Sequence, residues 1–458
     1  MDAPLKHYET MTATEITNVV ADDCDLARDI VEQSIQRIQN IDPIVDAWVH
    51  FDPTIIRQSA EEQITRLKTL DELPPLAGVP MGVKDVFNTR LYPTEMGSAI
   101  WKGFTPGNDA RVVEVAEYNG AVLMGKTHTA EFAVHAPGPT KNPYDLSCTP
   151  GTSSSGSAVA VATGMVPIAF GTQTAGSTIR PASYCGVFGF KPSFGLLPRT
   201  AVLKTTDTLD HVTVFARSVE DVALAFDTVR VRGSNYPFVE KNVDQRINKP
   251  ADGTWKIALV KGPRWDAATP FAQSKLLDIA QSVSNCNGIE VNEIALPSTF
   301  DDIHDLHELI YCKSLSYYFK EEAKQRDKLS DSFLDMIDRG ETITADAYKD
   351  AMAMQSKISQ QLTSFFDDYD AILTLSAGDV APAADTVTDV PDNCLVWTFC
   401  GTPALNIPTE QSPSGLPIGV QLVASKYADY DLLNLARRLG REGVLPNQVD
   451  ACTPRQDS

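Results

Sequence analysis

Cys148-Thr-Pro-Gly-Thr-Ser-Ser-Ser-Gly-Ser157 opens the stretch around which this 458-residue chain is organised. Small and apolar residues fill 158–165, and an apolar run covers 166–170. Gly171-Thr-Gln-Thr-Ala-Gly-Ser-Thr-Ile-Arg-Pro181 comes next, and Cys185-Gly-Val-Phe-Gly-Phe-Lys-Pro192 closes the stretch. Two hydroxyl clusters therefore stand in glycine-rich backbone, separated by a compact helix and a strand. Glycine and serine at this density mean tight turns and close backbone approach. The interleaved apolar runs exclude a flexible linker.

A serine hydroxyl becomes a nucleophile when a base takes its proton. No histidine lies between His135 and His211, although a Ser-His-Asp set drawn from distant segments is one solution. The other lies upstream, in Leu76-Ala-Gly-Val-Pro-Met-Gly-Val-Lys-Asp-Val86, where Lys84 ends an apolar, strand-like segment. Desolvation in such a setting lowers a lysine's pKa, so the neutral amine can act as base.

Lys84, the Gly-Thr-Ser-Ser-Ser-Gly segment and Gly176-Ser177 together resemble the amidase signature family, whose catalytic unit is a Ser–cis-Ser–Lys triad. Ser153 follows Lys84 by 69 residues and Ser177 follows Ser153 by 24, the second interval being nearly fixed in the family. The resemblance spans almost the whole chain. It implies Ser177 as nucleophile, Ser153 as bridging serine and Lys84 as base. It also implies an oxyanion-binding turn built from the backbone of Thr174, Ala175, Gly176 and Ser177. No cofactor or metal is implied. The chain departs from the family's Gly-Gly-Ser-Ser-Gly-Gly pattern at Thr152 and Ser155, and Ala175 replaces a usual glycine.

Most family members place an arginine two residues after the nucleophile, whereas Arg180 stands at three. That variant, with Gln173 before it, is similar to malonamidase and to the carboxybiuret and allophanate hydrolases, whose substrates are small and anionic. Arg180, Gln173 and Ser154 are accordingly the candidate substrate-binding residues, since a guanidinium fork matches a carboxylate. The expected function is hydrolysis of the C–N bond of a small, carboxylate-bearing amide or urea derivative. The alternatives are the glutaminase-type component of glutamyl-tRNA amidotransferase, working in a complex, and an amidase for neutral or aryl amides. The resemblance further implies a homodimer, with the option of a small accessory protein.

Composition narrows the classes. The chain carries 39 Lys and Arg against 60 Asp and Glu, a net charge of −21, which argues against nucleic acid and anionic membranes as partners. Residues 1–11 lack an apolar leader core, no apolar run is long enough to span a membrane, and eight scattered cysteines form no CxxC pair. Together these read as a cytoplasmic protein with reduced thiols. Gly120-Ala-Val-Leu-Met-Gly-Lys-Thr127 has P-loop spacing, but its four inner residues are apolar and read as a strand.

The remaining pattern alternates strands with helices and contains no repeat or linker. It predicts one α/β domain over 1–458, a mixed sheet between helical layers, with a catalytic core at about 76–230 and 368–440. A helical excursion at about 301–366 is either a cap over the site or a peripheral layer. Thr12-Ala-Thr-Glu15 reads as a capping box opening the first helix. Gly107-Asn-Asp109 reads as another helix start, Ser218 as a further N-cap, and residues 255–260 as a central strand.

Overall fold

Alternation of apolar side chains builds a sheet whose two faces bury different cores. In β4 (Ile168–Gln173), Ile168 and Phe170 join one apolar cluster while Ala169 joins another. In β7 (Trp255–Leu259), Ile257 and Leu259 face the first cluster and Ala258 faces a third. Period-two side-chain direction is the reason. The computed structural model describes residues 7–232, 243, 252–385 and 394–455. Part of the leader-free segment 1–11 lies outside these.

The other strands are β1 (Trp48–His50), β2 (Pro80–Lys84), β3 (Val122–Thr127), β5 (Phe188–Lys191), β6 (His211–Ala216), β8 (Ile289–Glu293), β9 (Ala371–Leu375), β10 (Ala404–Pro408) and β11 (Gly419–Ala424). All eleven form one mixed sheet in the order β1-β3-β2-β4-β6-β5-β10-β11-β9-β7-β8. β3, β2 and β4 run parallel, β9, β7 and β8 run parallel, and the strands between are antiparallel. Fold class and sheet type are those expected from the sequence.

Local signals act where the sequence places them. Thr12 Oγ1 accepts from the Glu15 N–H and Glu15 reaches back to the Thr12 N–H, closing the capping box of the helix Ala13–Asp22. Ser218 caps the helix Val219–Val229 by accepting from the Asp221 N–H. The helix Ser155–Ala162 is buried along its whole length. Its small residues allow this: a Cβ added to Gly156 would lie 2.4 Å from the Ala47 carbonyl oxygen.

Two expectations are corrected. Residues 255–259 form a strand next to the edge, not a central one, because the helix Pro270–Ser284 returns the chain to place β8 outside it. The helix expected from Gly107-Asn-Asp109 begins at Arg111 with no side-chain cap, because Arg90 claims the Asp109 carboxylate through its backbone N–H (2.7 Å) and guanidinium (2.8 Å). The P-loop-like segment is β3, and Lys126 points into the interior. There it donates to Asp85 Oδ1 (2.8 Å), Thr94 Oγ1 (2.8 Å) and the Pro93 carbonyl (3.0 Å).

The Asp85–Lys126 pair sits directly behind Lys84, and both side chains are buried. Burial raises the Asp85 pKa and lowers that of Lys126, with mutual attraction opposing both shifts. Removing one partner leaves the other charge uncompensated. Lys126→Met is therefore expected to cost about 3–5 kcal/mol, read as a lowered urea midpoint at unchanged slope. A loss under about 1 kcal/mol, the scale of an exposed pair, would contradict this.

The excursion at 301–366 contains the helices Ile303–Tyr318, Asp331–Thr342 and Ala345–Phe365. The first reaches the candidate site. Among the described residues no helix is long and apolar enough to cross a membrane.

Candidate active site

Lys84 is the last residue of β2, held between β3 and β4 and fully buried. Its Nζ lies 2.7 Å from Ser153 Oγ and 2.8 Å from Thr172 Oγ1. Among the described residues it forms no ion pair, unlike Lys126 one strand away. Burial holds its pKa well below the usual lysine range, with the charge of Asp210 opposing more weakly. As an ammonium, Lys84 donates to both hydroxyls. Once neutral it keeps two N–H groups and gains a lone pair, so Ser153 O–H can donate to it.

Ser153 follows a cis peptide bond from Thr152. The Ser154 N–H donates to the Ser177 carbonyl (3.3 Å), which brings the two hydroxyl clusters of the sequence together. Ser154 turns its hydroxyl away from this junction, donating to the Thr172 carbonyl (3.0 Å) and accepting from the Thr172 N–H (3.3 Å). It fastens the start of the buried helix to β4. A Cβ on Gly171 would meet Ser154 Oγ at 2.9 Å, so glycine there permits the approach. Ser155 buries its hydroxyl with no hydrogen-bond partner among the described residues.

Residues 174–177 form the turn between β4 and the helix Ile179–Tyr184. Every carbonyl from Thr174 to Gly176 accepts a hydrogen bond. His307 Nε2 donates to Thr174 (2.8 Å), Thr398 Oγ1 to Ala175 (2.7 Å) and the Arg180 N–H to Gly176 (3.0 Å). The N–H groups of Ala175, Gly176 and Ser177 have no acceptor among the described residues. Ser177 and Ala175 are partly exposed. Ala175, where the family has glycine, does not adopt a positive φ. The turn thus presents consecutive free donors beside a reachable serine hydroxyl, an arrangement that can hold an oxyanion.

Gln173, which the sequence places at the substrate, is buried and committed elsewhere. Its Oε1 accepts from the N–H groups of Thr178 (2.8 Å) and Ile179 (2.9 Å), and its Nε2 donates to Thr398 (2.9 Å). It caps the following helix from outside, where Thr178 makes no side-chain cap. Arg180 lies buried in the first turn of that helix.

Four further residues shape the site. Thr172, the second partner of Lys84, carries no sequence signal beyond its place in β4. Asp210 anchors the chain under the turn, accepting from the Thr174 hydroxyl (3.0 Å) and from the N–H and hydroxyl groups of Thr205 and Thr206. His307 comes from the helical excursion, and burial lowers its pKa to about 4, so the neutral ring donates through Nε2. Thr398 comes from the helix Cys394–Phe399.

A cavity of about 300 Å³ adjoins these groups. Thr172 and Thr174 lie in its wall beside Asp210, His211, Arg199 and Lys204. The Arg199 guanidinium stacks 4.5 Å over Phe194 and donates to the carbonyls of Asp207 (3.2 Å) and Asp210 (3.4 Å). It makes no ion pair among the described residues. Lys204 pairs with Asp207. Among the described residues no cluster of His, Cys, Asp and Glu could hold a metal ion.

The sequence matches the family model Amidase over residues 29–433. The chain belongs to the amidase family. This amidase is therefore an enzyme of the class that hydrolyses amide C–N bonds. It is 31% identical over 458 residues to the GatA-type component of the glutamyl-tRNA(Gln) amidotransferase of Symbiobacterium thermophilum, covering 90% of this chain and 92% of that one. It is 29% identical to the Clostridium botulinum protein of the same name, covering 94% and 96%. Among solved structures it is similar to a chain from a vestigial protein complex that reveals the origins of an s-triazine catabolic enzyme. That match has TM-score 0.86 and 27% identity, with 96% of this amidase and 100% of that chain covered. The peptide amidase of Stenotrophomonas maltophilia shares the fold, at TM-score 0.83 and 23% identity over 98% and 99% of the two chains.

Proposed function

We propose that this amidase hydrolyses a small, carboxylate-bearing amide or urea derivative through an acyl-enzyme on Ser177, with Ser153 and Lys84 as its proton relay. One observation carries the catalytic reading. Ser177 closes a turn whose three N–H groups are unclaimed while its carbonyls are all occupied. The relay begins with neutral Lys84 accepting the Ser153 proton as Ser153 accepts that of Ser177. Ser177 Oγ bonds to the amide carbon, and the carbonyl π pair moves to oxygen, facing the N–H groups of the turn. Collapse breaks the C–N bond, and the proton held by Lys84 returns through Ser153 to the leaving nitrogen. Water then attacks the acyl carbon by the same relay and frees Ser177.

Substrate size and charge follow from the surroundings. A cavity of about 300 Å³ lies at the small end of ligand pockets. Arg199 in its wall lacks a carboxylate partner among the described residues, and Arg180 follows Ser177 by three positions. Similarity to a chain connected with s-triazine catabolism supports a small, nitrogen-rich substrate. The protein complex of that chain supports a search for a small accessory protein. The test is a screen of small amides, with and without a free carboxylate, reading ammonia release. Hydrolysis of neutral amides alone would defeat the anionic reading.

Arg180→Ala is expected to lower kcat/KM for the anionic amide by about 10²- to 10³-fold, since removing one partner of a desolvated charge pair costs about 2–5 kcal/mol. The loss on a neutral amide of equal size should be much smaller. Equal losses would make Arg180 a structural residue.

A second reading is favoured by the curated relatives at 29–31% identity over nearly the full chain, which are components of glutamyl-tRNA(Gln) amidotransferase. In that case the chain is the glutaminase component of such a complex. Stable co-purification with other components and glutamine-dependent ammonia release would identify it.

A further inference from the structure

We propose that His307 and Thr398 are positioning residues that strengthen and aim the oxyanion-binding N–H groups by hydrogen-bonding the carbonyls on the far side of the same peptides. The inference rests on the reading of residues 174–177 as the oxyanion turn. The carbonyl of Thr174 and the N–H of Ala175 belong to one peptide group. A donor on the carbonyl pulls electron density across that group and makes its N–H a stronger donor, as in any hydrogen-bonded chain. His307 Nε2 acts on this peptide from 2.8 Å. Thr398 Oγ1 acts on the next one, whose N–H is that of Gly176, from 2.7 Å.

Both donors are themselves fixed. The Thr398 hydroxyl accepts from Gln173 Nε2 (2.9 Å), so its single proton goes to the Ala175 carbonyl rather than to the Cys394 carbonyl at 3.2 Å. His307 is buried and stacks edge-on to Tyr311, with ring centroids 5.7 Å apart. Neither residue lies near the turn in sequence. His307 is 133 positions from Thr174 and Thr398 is 223 from Ala175. One arrives on the helix Ile303–Tyr318, the other on Cys394–Phe399. The carbonyls of the turn could have been satisfied by water or by local backbone, as Gly176 is by Arg180. Two remote helices instead each deliver one donor to adjacent peptides. That arrangement holds the carbonyls outward and the N–H groups toward Ser177.

The test uses a small alkyl fluorophosphonate, whose phosphoryl oxygen occupies the oxyanion position as Ser177 attacks phosphorus and fluoride leaves. The inactivation constant and the affinity of the initial complex are measured separately. Thr398→Val and His307→Phe each remove one donor. Each should slow the inactivation step about 10-fold, less than the 10²–10³ for loss of a direct oxyanion donor. Initial affinity should stay within about twofold. Thr398→Ser and His307→Gln, which return a donor, should recover most of the rate. Rates in Thr398→Val and His307→Phe equal to wild type, with folding intact by circular dichroism, would overturn the proposal. So would equal losses in the removing and restoring variants. If one removing variant does not fold, the other decides, because each acts on its own peptide. If neither folds, the decision passes to Thr398→Ala and His307→Asn under the same criterion. Failure of the underlying reading shows differently: wild-type protein would not be labelled at Ser177 at all.

Discussion

Ser177→Ala is expected to lose turnover of every amide the wild-type protein hydrolyses, by about 10⁶-fold, as nucleophile removal does in other serine hydrolases. Substrate binding and fold should persist, because the Ser177 contact that joins the two clusters is its carbonyl, which alanine retains. A residual 10³–10⁴-fold acceleration over water is compatible with an intact oxyanion turn. Two measurements check the prediction, steady-state ammonia release and the melting temperature. Activity within tenfold of wild type would remove Ser177 from the mechanism. It would also return the nucleophile to an open question among the hydroxyls near Lys84.

Lys84→Met should lower kcat/KM by about 10³-fold or more, at the upper end of what a general base contributes. The sign of the stability change differs from that of most buried lysines. The folded state disfavours the ammonium, because burial holds the Lys84 pKa below its unfolded value. This penalty is full below the folded pKa and disappears as pH rises through the ordinary lysine range near 10.4. A Met variant removes it, so at neutral pH the melting temperature should hold or rise while activity falls. Loss of activity accompanied by unfolding would mean that the lysine supports the fold, not the chemistry. In the wild type, activity should rise with pH as Lys84 loses its proton, and the midpoint should lie well below the pKa of a free lysine. A flat profile through that range, with chemistry shown to limit the rate, would exclude Lys84 as the base.

What the sequence made legible was local or fixed in spacing. The capping box at Thr12, the N-cap at Ser218 and the apolar end of β2 at Lys84 are short-range patterns, and the structure carries each of them out. The P-loop-like stretch could be read as a strand because its four inner residues are apolar, and burial of Lys126 against Asp85 completes that account. Side-chain direction was not legible. Gln173 could equally have faced a ligand, and only the arrival of Thr398, 225 residues later, shows its carboxamide engaged between two helices. Ser154 is likewise turned by a bond across to β4. The neighbours of a strand are also non-local: the apolar run at 255–259 reads the same at the centre of a sheet or one place from its edge. Asp210 carried a charge but no motif. Its role appears once five donors from three threonines converge on it.

The most direct test is to trap the covalent intermediate. The best amide from the substrate screen is mixed with the protein, quenched in acid within milliseconds, and the digested chain is mapped by mass spectrometry. The account predicts that the mass of the acyl group appears on the peptide containing Ser177, disappears in Ser177→Ala and accumulates before steady state whenever deacylation limits the rate. An acyl group on Ser153, Ser154 or Ser155 would contradict it. So would turnover with no acyl-enzyme at any quench time when a hydroxylamine chase also yields no hydroxamate.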